Sequence, residues 1–374
     1  MPFFQSIYIT SFLMSFMNCL ISVSLPMLLA ESMHSSSFII GLVGFAGNFL
    51  YTIVAFLQPR FSLRKKLILF IYTPAGAGLC YIALPFVSLP LIFGFFLIAS
   101  YCYAIFWPSM QHCFTGSEGD KKAGIFNLTW PTGLICGAIF AGKAYSLDAR
   151  IPFIFAVPVA ILSLLLLLGQ KKNILSMKPV DEKSKANKMP SSAFLVKEVR
   201  TLHYIHFMAS GAIMFLFPKL ALARGFSPSL IGNIFAILLF SRLATFFILR
   251  KKPLLLHPYR FFISSFLFCT GSCMIGLGTH PAMVISGTVI IGITGAFSYH
   301  NSFLLHLNYG LPVSTHEALV GAGCFTGPLL VGTMGHIFNL PAAFFIMGII
   351  ILSAGICFNA FMIFRKRKSL SSAY

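Results

Sequence analysis

The chain alternates long apolar stretches with short polar segments, and this pattern strongly limits how it can fold. Only 9% of its residues are charged, whereas 57% are hydrophobic. Most of the apolar stretches are close to the ~20 residues that a helix needs to cross a bilayer. Continuous apolar runs without strict alternation favour helices over barrel strands, so the sequence predicts an all-α integral membrane protein. The twelve predicted spans are residues 6–30, 37–57, 67–87, 89–112, 124–144, 152–169, 203–223, 229–249, 261–277, 282–305, 318–338 and 342–364.

Basic residues fall on every second polar segment. Twenty-two of the 27 Lys and Arg lie in the segments 60–66, 121–122, 171–200, 250–260 and 365–368, all on one predicted side of the membrane. Loops rich in Lys and Arg stay cytoplasmic. The pattern therefore predicts a multi-pass protein with both termini in the cytoplasm, in a bacterial inner (plasma) membrane. The net charge of +19 then reflects topology, and no nucleic-acid partner is predicted.

One long polar segment, residues 170–200, divides the chain. It is rich in Lys and Ser and contains two prolines, which is typical of a linker. We predict an N-terminal six-helix bundle over residues 1–169, a cytoplasmic linker over 170–200, a C-terminal six-helix bundle over 201–364 and a cytoplasmic tail over 365–374. The linker is expected to tether the two bundles and to keep them in one orientation, with binding of anionic lipid as the alternative.

Similar short motifs recur in the two halves. Pro26 matches Pro218, Gly41 matches Gly232, and Gly133 matches Gly327. Their shared offset of about 191 to 194 residues predicts an internal duplication of a six-helix unit. Duplicated halves of this kind are common among membrane transporters.

Three local patterns resemble signatures of the major facilitator superfamily. LQPRFSLRKKLIL is similar to its helix 2–3 signature, with Pro59 at the usual Asp position; AIFWPSMQ ends the fourth span, and Gly133-x-x-x-Gly137 resembles the helix 5 signature. The resemblance covers essentially the whole chain and implies twelve helices in two pseudo-symmetric six-helix bundles. It also implies that helices 1, 4, 7 and 10 line a central cavity, that helices 2, 5, 8 and 11 pack the halves together, and that helices 3, 6, 9 and 12 face lipid.

Polar side chains concentrate on the four spans that the resemblance places around the cavity. A polar group facing hydrocarbon costs several kcal/mol, so such side chains are expected to face protein or water. Serine and threonine hydroxyls can instead bond to their own helix. The predicted substrate-cavity residues are Asn18, Tyr103, Trp107, Gln111, His206, Arg242, Tyr299, His300 and Asn301.

Arg242 is a basic residue within the eighth span. A charge inside a membrane is expensive and usually has a functional or structural partner. Two interpretations stay open at this stage. Arg242 either binds an anion or gates the cavity, or it reaches the cytoplasmic side and caps backbone carbonyls.

A cytoplasmic gate is predicted between the loop after helix 2 and the start of helix 11. In the family the signature Asp helps to hold this contact, but Pro59 stands at its position here. We therefore predict that Arg60 or Arg64 pairs with Glu317 instead. The alternative for Glu317 is a first-turn acid that is favoured by the helix dipole.

The sequence lacks the motifs of an enzyme. No catalytic constellation is found, and the nine cysteines are scattered singly, so no cofactor, metal or catalytic residue is predicted. The predicted function is a secondary transporter that moves a small solute by alternating access. A non-transport protein on the same fold, either an assembly factor or an intramembrane enzyme, is the alternative.

The predicted partners are a small-molecule substrate and membrane lipid, and the chain is predicted to act as a monomer. No acidic residue lies deep in a span, so a carboxylate proton relay is not evident. A coupling ion, the identity of the solute and the direction of transport, uptake or efflux, stay open.

Overall fold

The structure is a computed structural model that describes residues 2–114, 119–177, 193–249, 260–308, 311 and 313–371. These ranges contain twelve long helices and no β-strand, which confirms the predicted all-α fold. A short helix, Lys171–Leu175, follows the sixth of them. The long helices are α1 (Phe3–Glu31), α2 (Ser37–Leu57), α3 (Leu63–Ala83), α4 (Leu89–His112), α5 (Gly119–Leu147), α6 (Ile151–Gly169), α7 (Ala193–Ala223), α8 (Pro228–Leu249), α9 (Arg260–Leu277), α10 (Pro281–Asn308), α11 (Val313–Ile337) and α12 (Leu340–Ser371).

The helices extend beyond the predicted apolar spans at several ends. Helix α7 begins at Ala193, inside the segment that the sequence assigned to the linker, and its Glu198 forms a buried ion pair with Arg260 of α9. Residues 193–200 therefore belong to the C-terminal bundle. Helix α12 likewise continues to Ser371, through part of the predicted tail. Residues 178–192 of the predicted linker and 372–374 of the tail lie outside the described residues.

Eleven of these helices are long and apolar enough to cross a membrane. The remaining long helix, α5, is less apolar and packs between α1 and α8. Large apolar side chains such as Leu79, Leu165, Phe266 and Phe361 stand exposed on α3, α6, α9 and α12. Such a surface is stable only against lipid, so the chain is an integral multi-pass membrane protein.

Where the structure describes the whole connection between two long helices, that connection is short and the two helices run in opposite directions. Helix α6 returns to the start of α1, where Gln170 Nε2 donates to Ser6 Oγ at 3.3 Å. Helix α7 ends beside the α1–α2 connection, where Lys219 Nζ donates to the carbonyl oxygen of Ser35. The bundle thus has a terminus end, where α1 begins and α12 ends, and a far end that carries residues 32–36 and 224–227.

The two halves have matching internal contacts. Helix α1 packs on α5 as α7 packs on α11, and α3 packs on α6 as α9 packs on α12. Gly133 of α5 lies against the carbonyl oxygen of Phe12 in α1, and Gly327 of α11 lies against that of Met208 in α7. These two glycines were matched in sequence, and they occupy equivalent contacts.

Glycines bring the halves together at the far end. A Cβ on Gly41 of α2 would lie 2.4 Å from the carbonyl oxygen of Pro328 in α11, and one on Gly232 of α8 would lie 2.5 Å from that of Ala138 in α5. Side chains larger than hydrogen would separate both helix pairs, because backbone atoms cannot yield as a flexible side chain does. The α2–α11 and α5–α8 contacts therefore hold the two halves together at the far end.

Candidate substrate cavity

A cavity of about 250 Å³ lies between the halves. Its wall carries several of the polar and aromatic side chains that the sequence singled out. Asn18 of α1 contributes from one side, and Tyr103, Trp107 and Gln111 of α4 contribute from another. The spacing of four residues along α4 explains this arrangement, because residues at i, i+4 and i+8 share one helix face.

Arg242 of α8 lies in the wall of this cavity. The side chain is 7% exposed, and its Nη2 donates to Ser210 Oγ of α7 at 3.3 Å. Its Nε has no hydrogen-bond partner, and within the described ranges no carboxylate forms an ion pair with it. Arg242 therefore presents a buried and uncompensated positive charge to the cavity, rather than reaching the terminus end.

Aromatic rings pack around Tyr299 of α10, which lines the cavity. Its ring centroid lies 5.9 Å from that of Trp130 in α5, 5.5 Å from that of Phe246 in α8 and 6.2 Å from that of Phe207 in α7. Trp130, Phe207 and Tyr299 also line the cavity. The charged group thus stands beside an apolar, aromatic wall.

Glu317 of α11 joins the two halves at the terminus-end side of the cavity. It is 6% exposed, accepts a hydrogen bond from Tyr51 Oη of α2 at 2.6 Å, and accepts another from Gln111 Nε2 of α4 at 2.7 Å. Both donors belong to the N-terminal half, whereas Glu317 belongs to the C-terminal half. Charge-assisted bonds of this length are among the stronger ones in proteins.

This arrangement differs from the predicted pairing of Glu317 with Arg60 or Arg64. Both arginines are exposed, and in the described part of the chain neither forms an ion pair with Glu317. Glu317 lies in the second turn of α11, about 6 Å beyond the helix start at 1.5 Å per residue, and faces α2 and α4. Glu317 is not at the helix terminus where the prediction placed it, and it accepts from donors on the facing helices instead of pairing with an arginine.

Three of the predicted cavity residues lie elsewhere. His206, His300 and Asn301 are not among the side chains that line the cavity. His206 is fully buried, with its ring stacked on Phe268 of α9 at 5.4 Å. On α10 only Tyr299 reaches the cavity, because successive helix residues point about 100° apart.

Several residues that were not predicted from sequence also line the cavity, among them Tyr51 of α2, Tyr81 of α3 and Trp130 of α5. Helices 2, 5, 8 and 11 therefore line the cavity in addition to packing the halves, and helix 3 reaches it as well. One signal for Tyr51 was available, since it precedes Arg242 by the repeat offset of about 191 residues. The two side chains occupy corresponding places in the duplicated halves and both face the cavity.

Two six-helix halves around a central cavity in an integral membrane protein are a recurrent architecture of membrane transporters. The family model of the major facilitator superfamily matches residues 7–309. The chain therefore belongs to the major facilitator superfamily, and it is a membrane transporter rather than an enzyme. The predicted family resemblance is thereby confirmed.

Solved structures with the same fold are distant in sequence. The nucleoside transporter NupG is 14% identical, with a TM-score of 0.69, and the match covers 97% of this chain and 99% of that one. A bacterial homologue of the human lysosomal transporter Spinster, inward-facing and occupied, is 14% identical, with a TM-score of 0.68 and coverage of 97% and 96%. A POT family transporter in complex with a thioalcohol-conjugated peptide is 14% identical, with a TM-score of 0.73 and coverage of 96% and 95%. No curated protein matches the sequence.

Proposed function

We propose that this protein is a secondary transporter that moves a small amphipathic solute with one anionic group by alternating access through the central cavity. The solute binds between the halves, with its anionic group on Arg242 and its apolar part against Trp130, Phe207 and Tyr299. The fold alone does not determine a substrate. The proposal therefore depends on the chemistry of the cavity wall.

The uncompensated charge of Arg242 carries this proposal. A buried cation without an anionic partner is costly, and its guanidinium is suited to bidentate recognition of a carboxylate or phosphate. Glu317, the acidic residue in the wall, is already bonded to Tyr51 and Gln111. An anionic solute would supply the missing counter-charge.

The volume of the cavity limits the size of the solute. At about 250 Å³ it falls below the ~300–1,000 Å³ typical of sites for drug-sized ligands. An aromatic or branched apolar part would contact the rings of Trp130 and Tyr299. This combination favours small monoanions over larger solutes.

Ligand stabilisation followed by transport in liposomes tests the proposal. Benzoate and its neutral analogue benzamide serve as probes, together with short aliphatic monocarboxylates and their amides. We expect the carboxylates to raise the melting temperature of the purified protein and the amides to have little effect. Proteoliposomes loaded with the stabilising carboxylate should then show counterflow of the labelled compound. Stabilisation without counterflow would favour a non-transport role. Equal stabilisation by the amides would show that the cavity does not recognise the anionic group of the solute.

We further propose that the terminus end faces the cytoplasm of a bacterial cell. Among the described residues, Arg64, Lys65, Lys171 and Lys172 lie at this end, and basic clusters resist translocation. Single cysteines at Arg64 and at Leu147, both exposed side chains on opposite ends of the bundle, test this orientation on a background without native cysteines. A membrane-impermeant maleimide added to intact cells should label position 147 and spare position 64. The reverse pattern would invert the topology.

A further inference from the structure

Three histidines cluster behind the cavity wall of the C-terminal half. His203 of α7 stacks on His316 of α11, with ring centroids 4.5 Å apart and an interplanar angle of 18°. The ring of His306 in α10 lies 5.5 Å from that of His316. Tyr299 separates this cluster from the cavity, with its ring 4.9 Å from His316 and 5.7 Å from His203. The cluster is thus one side chain away from the cavity.

The contacts of His306 hold it neutral. Its Nδ1 faces the carbonyl oxygen of Ser302 at 2.8 Å, so this nitrogen carries the proton and donates. Its Nε2 faces Nη2 of Arg200 at 3.4 Å and therefore accepts. A second proton on Nε2 would point at the guanidinium. His306 is therefore a fixed structural member of the cluster and a poor proton acceptor.

His203 and His316 have unused nitrogen atoms. Both side chains are fully buried, and neither ring nitrogen of His203 has a hydrogen-bond partner. In His316, Nδ1 lies 3.0 Å from Ser302 Oγ, whereas Nε2 has no partner. Buried polar atoms without partners are costly, and such exceptions require a specific explanation.

The geometry does not indicate a metal site. Stacked rings direct their nitrogen atoms edgewise rather than toward a shared point between them. Within the ranges that the structure describes, no group of three His, Cys, Asp or Glu side chains is arranged to hold a metal ion. A stack of two imidazoles is instead suited to a single proton, because an imidazolium on a neutral ring is attracted as a cation to an aromatic face. Two imidazoliums at this distance would repel each other.

We propose that the stacked pair His203–His316 is a proton-binding site that takes up one proton together with an anionic solute at Arg242. The proton adds to a free ring nitrogen of the pair, so no other bond is made or broken. The coupling to a solute rests on the proposed function, whereas the proton site itself does not.

Electrostatics link the two sites. The charged groups on the helices around the pair are Arg200 on α7, which contacts His306, Arg242 on α8, and Glu317 on α11, which follows His316 in sequence. The remaining titratable neighbours are His206, Tyr299 and His306. Arg200 and Arg242 both oppose a further positive charge. An anion on Arg242 cancels one of them and lowers the cost of protonating the pair. Linkage is reciprocal, so the proton in turn strengthens binding of the anion.

Titration of the histidines tests the proton site without any ligand. The full-length protein with ¹⁵N-labelled histidine is titrated from about pH 8 to about pH 4, which extends below the range in which histidine normally changes charge because Arg200 and Arg242 oppose the proton. The signals of the pair are assigned with the variants His203→Phe and His316→Phe, which keep an aromatic ring in the stack. The matched control is His280→Gln, since His280 is exposed at the far end. We expect the pair to gain one proton in a single shared step. Two neutral rings throughout, or two independent protonations, would overturn the site.

Proton uptake on ligand binding tests the coupling. Saturating benzoate is added near pH 6.5 to weakly buffered protein with a pH indicator. We expect about one proton to be taken up by the wild type and by His280→Gln, and none by the double variant His203→Phe/His316→Phe. Benzoate binding without proton uptake would overturn the coupling while leaving the proposed function intact. Failure of benzoate to stabilise any variant would contradict the proposed function, and the ligand-free titration would still decide on the proton site.

Discussion

Replacing Arg242 with alanine is expected to weaken binding of benzoate-like anions by at least about thirtyfold without lowering the thermal stability of the protein. Truncation of a buried partner in a charge pair typically costs about 2–5 kcal/mol of binding energy. The free protein behaves differently, because Arg242 is buried and has no acidic partner to leave behind. Removing an uncompensated charge relieves a desolvation cost.

The chain offers a matched control for this prediction. Arg260 is also a buried arginine, but it forms an ion pair with the buried Glu198. Arg260→Ala leaves that carboxylate buried without a partner and should destabilise the protein by about 3–5 kcal/mol. Arg242→Lys should retain weak binding of benzoate, since the positive charge remains while the planar, bidentate hydrogen-bonding group of arginine is lost. Melting curves of the three variants with and without benzoate measure both effects. Unchanged benzoate affinity in Arg242→Ala would leave Arg242 with a structural role only.

Removing the carboxylate of Glu317 is expected to open the terminus end of the cavity. Glu317→Ala deletes both bonds that join α11 to α2 and α4, and a hydrogen bond to a charged group is typically worth about 1.5–3 kcal/mol. Each 1.4 kcal/mol shifts an equilibrium tenfold. The open population should therefore rise by about tenfold or more, while the protein stays folded. Tyr51→Phe removes one of the two bonds and should have a smaller effect.

Double-mutant cycles separate this contact from the pairing predicted from sequence. Glu317→Gln combined with Tyr51→Phe should be non-additive, since the two side chains share a bond. Glu317→Gln combined with Arg60→Gln or with Arg64→Gln should be additive, because these arginines are exposed and do not contact Glu317 here. The readout is the accessibility of a single cysteine in the terminus-end part of the cavity. Additivity with Tyr51→Phe would remove the proposed contact between the halves.

The fold could be predicted because its signals are spread over many residues. Twelve apolar spans, alternating basic clusters and a repeat offset all point to the same architecture. Asn18 and the α4 face of Tyr103, Trp107 and Gln111 could be predicted for a related reason, since polar groups in a membrane helix must face protein or water.

The parts that could not be predicted depend on helix rotation and on partners from distant helices. Tyr299, His300 and Asn301 are consecutive, so they cannot all share a helix face. Trp130 was missed because an aromatic residue in an apolar span has the same pattern whether it faces core, lipid or cavity. The acceptor role of Glu317 requires Tyr51, which is 266 residues away in sequence.

Alternating access requires the two ends of the cavity to open in turn. At the far end the halves are joined by the glycine contacts and by the bond from Lys219 to Ser35, and at the terminus end they are joined by Glu317. Spin labels at Arg64 and Lys197 report the distance between the halves at the terminus end. Labels at Leu147 and Leu277 report it at the far end. All four side chains are exposed.

Pulsed electron–electron double resonance, which measures the distance within each of these two label pairs, is the most direct test. In Glu317→Ala we predict a longer Arg64–Lys197 distance and an unchanged or shorter Leu147–Leu277 distance. Lys219→Met should produce the opposite change, with the far end longer and the terminus end unchanged or shorter. Distances that lengthen together at both ends, or that stay fixed in both variants, would contradict alternating access through this cavity.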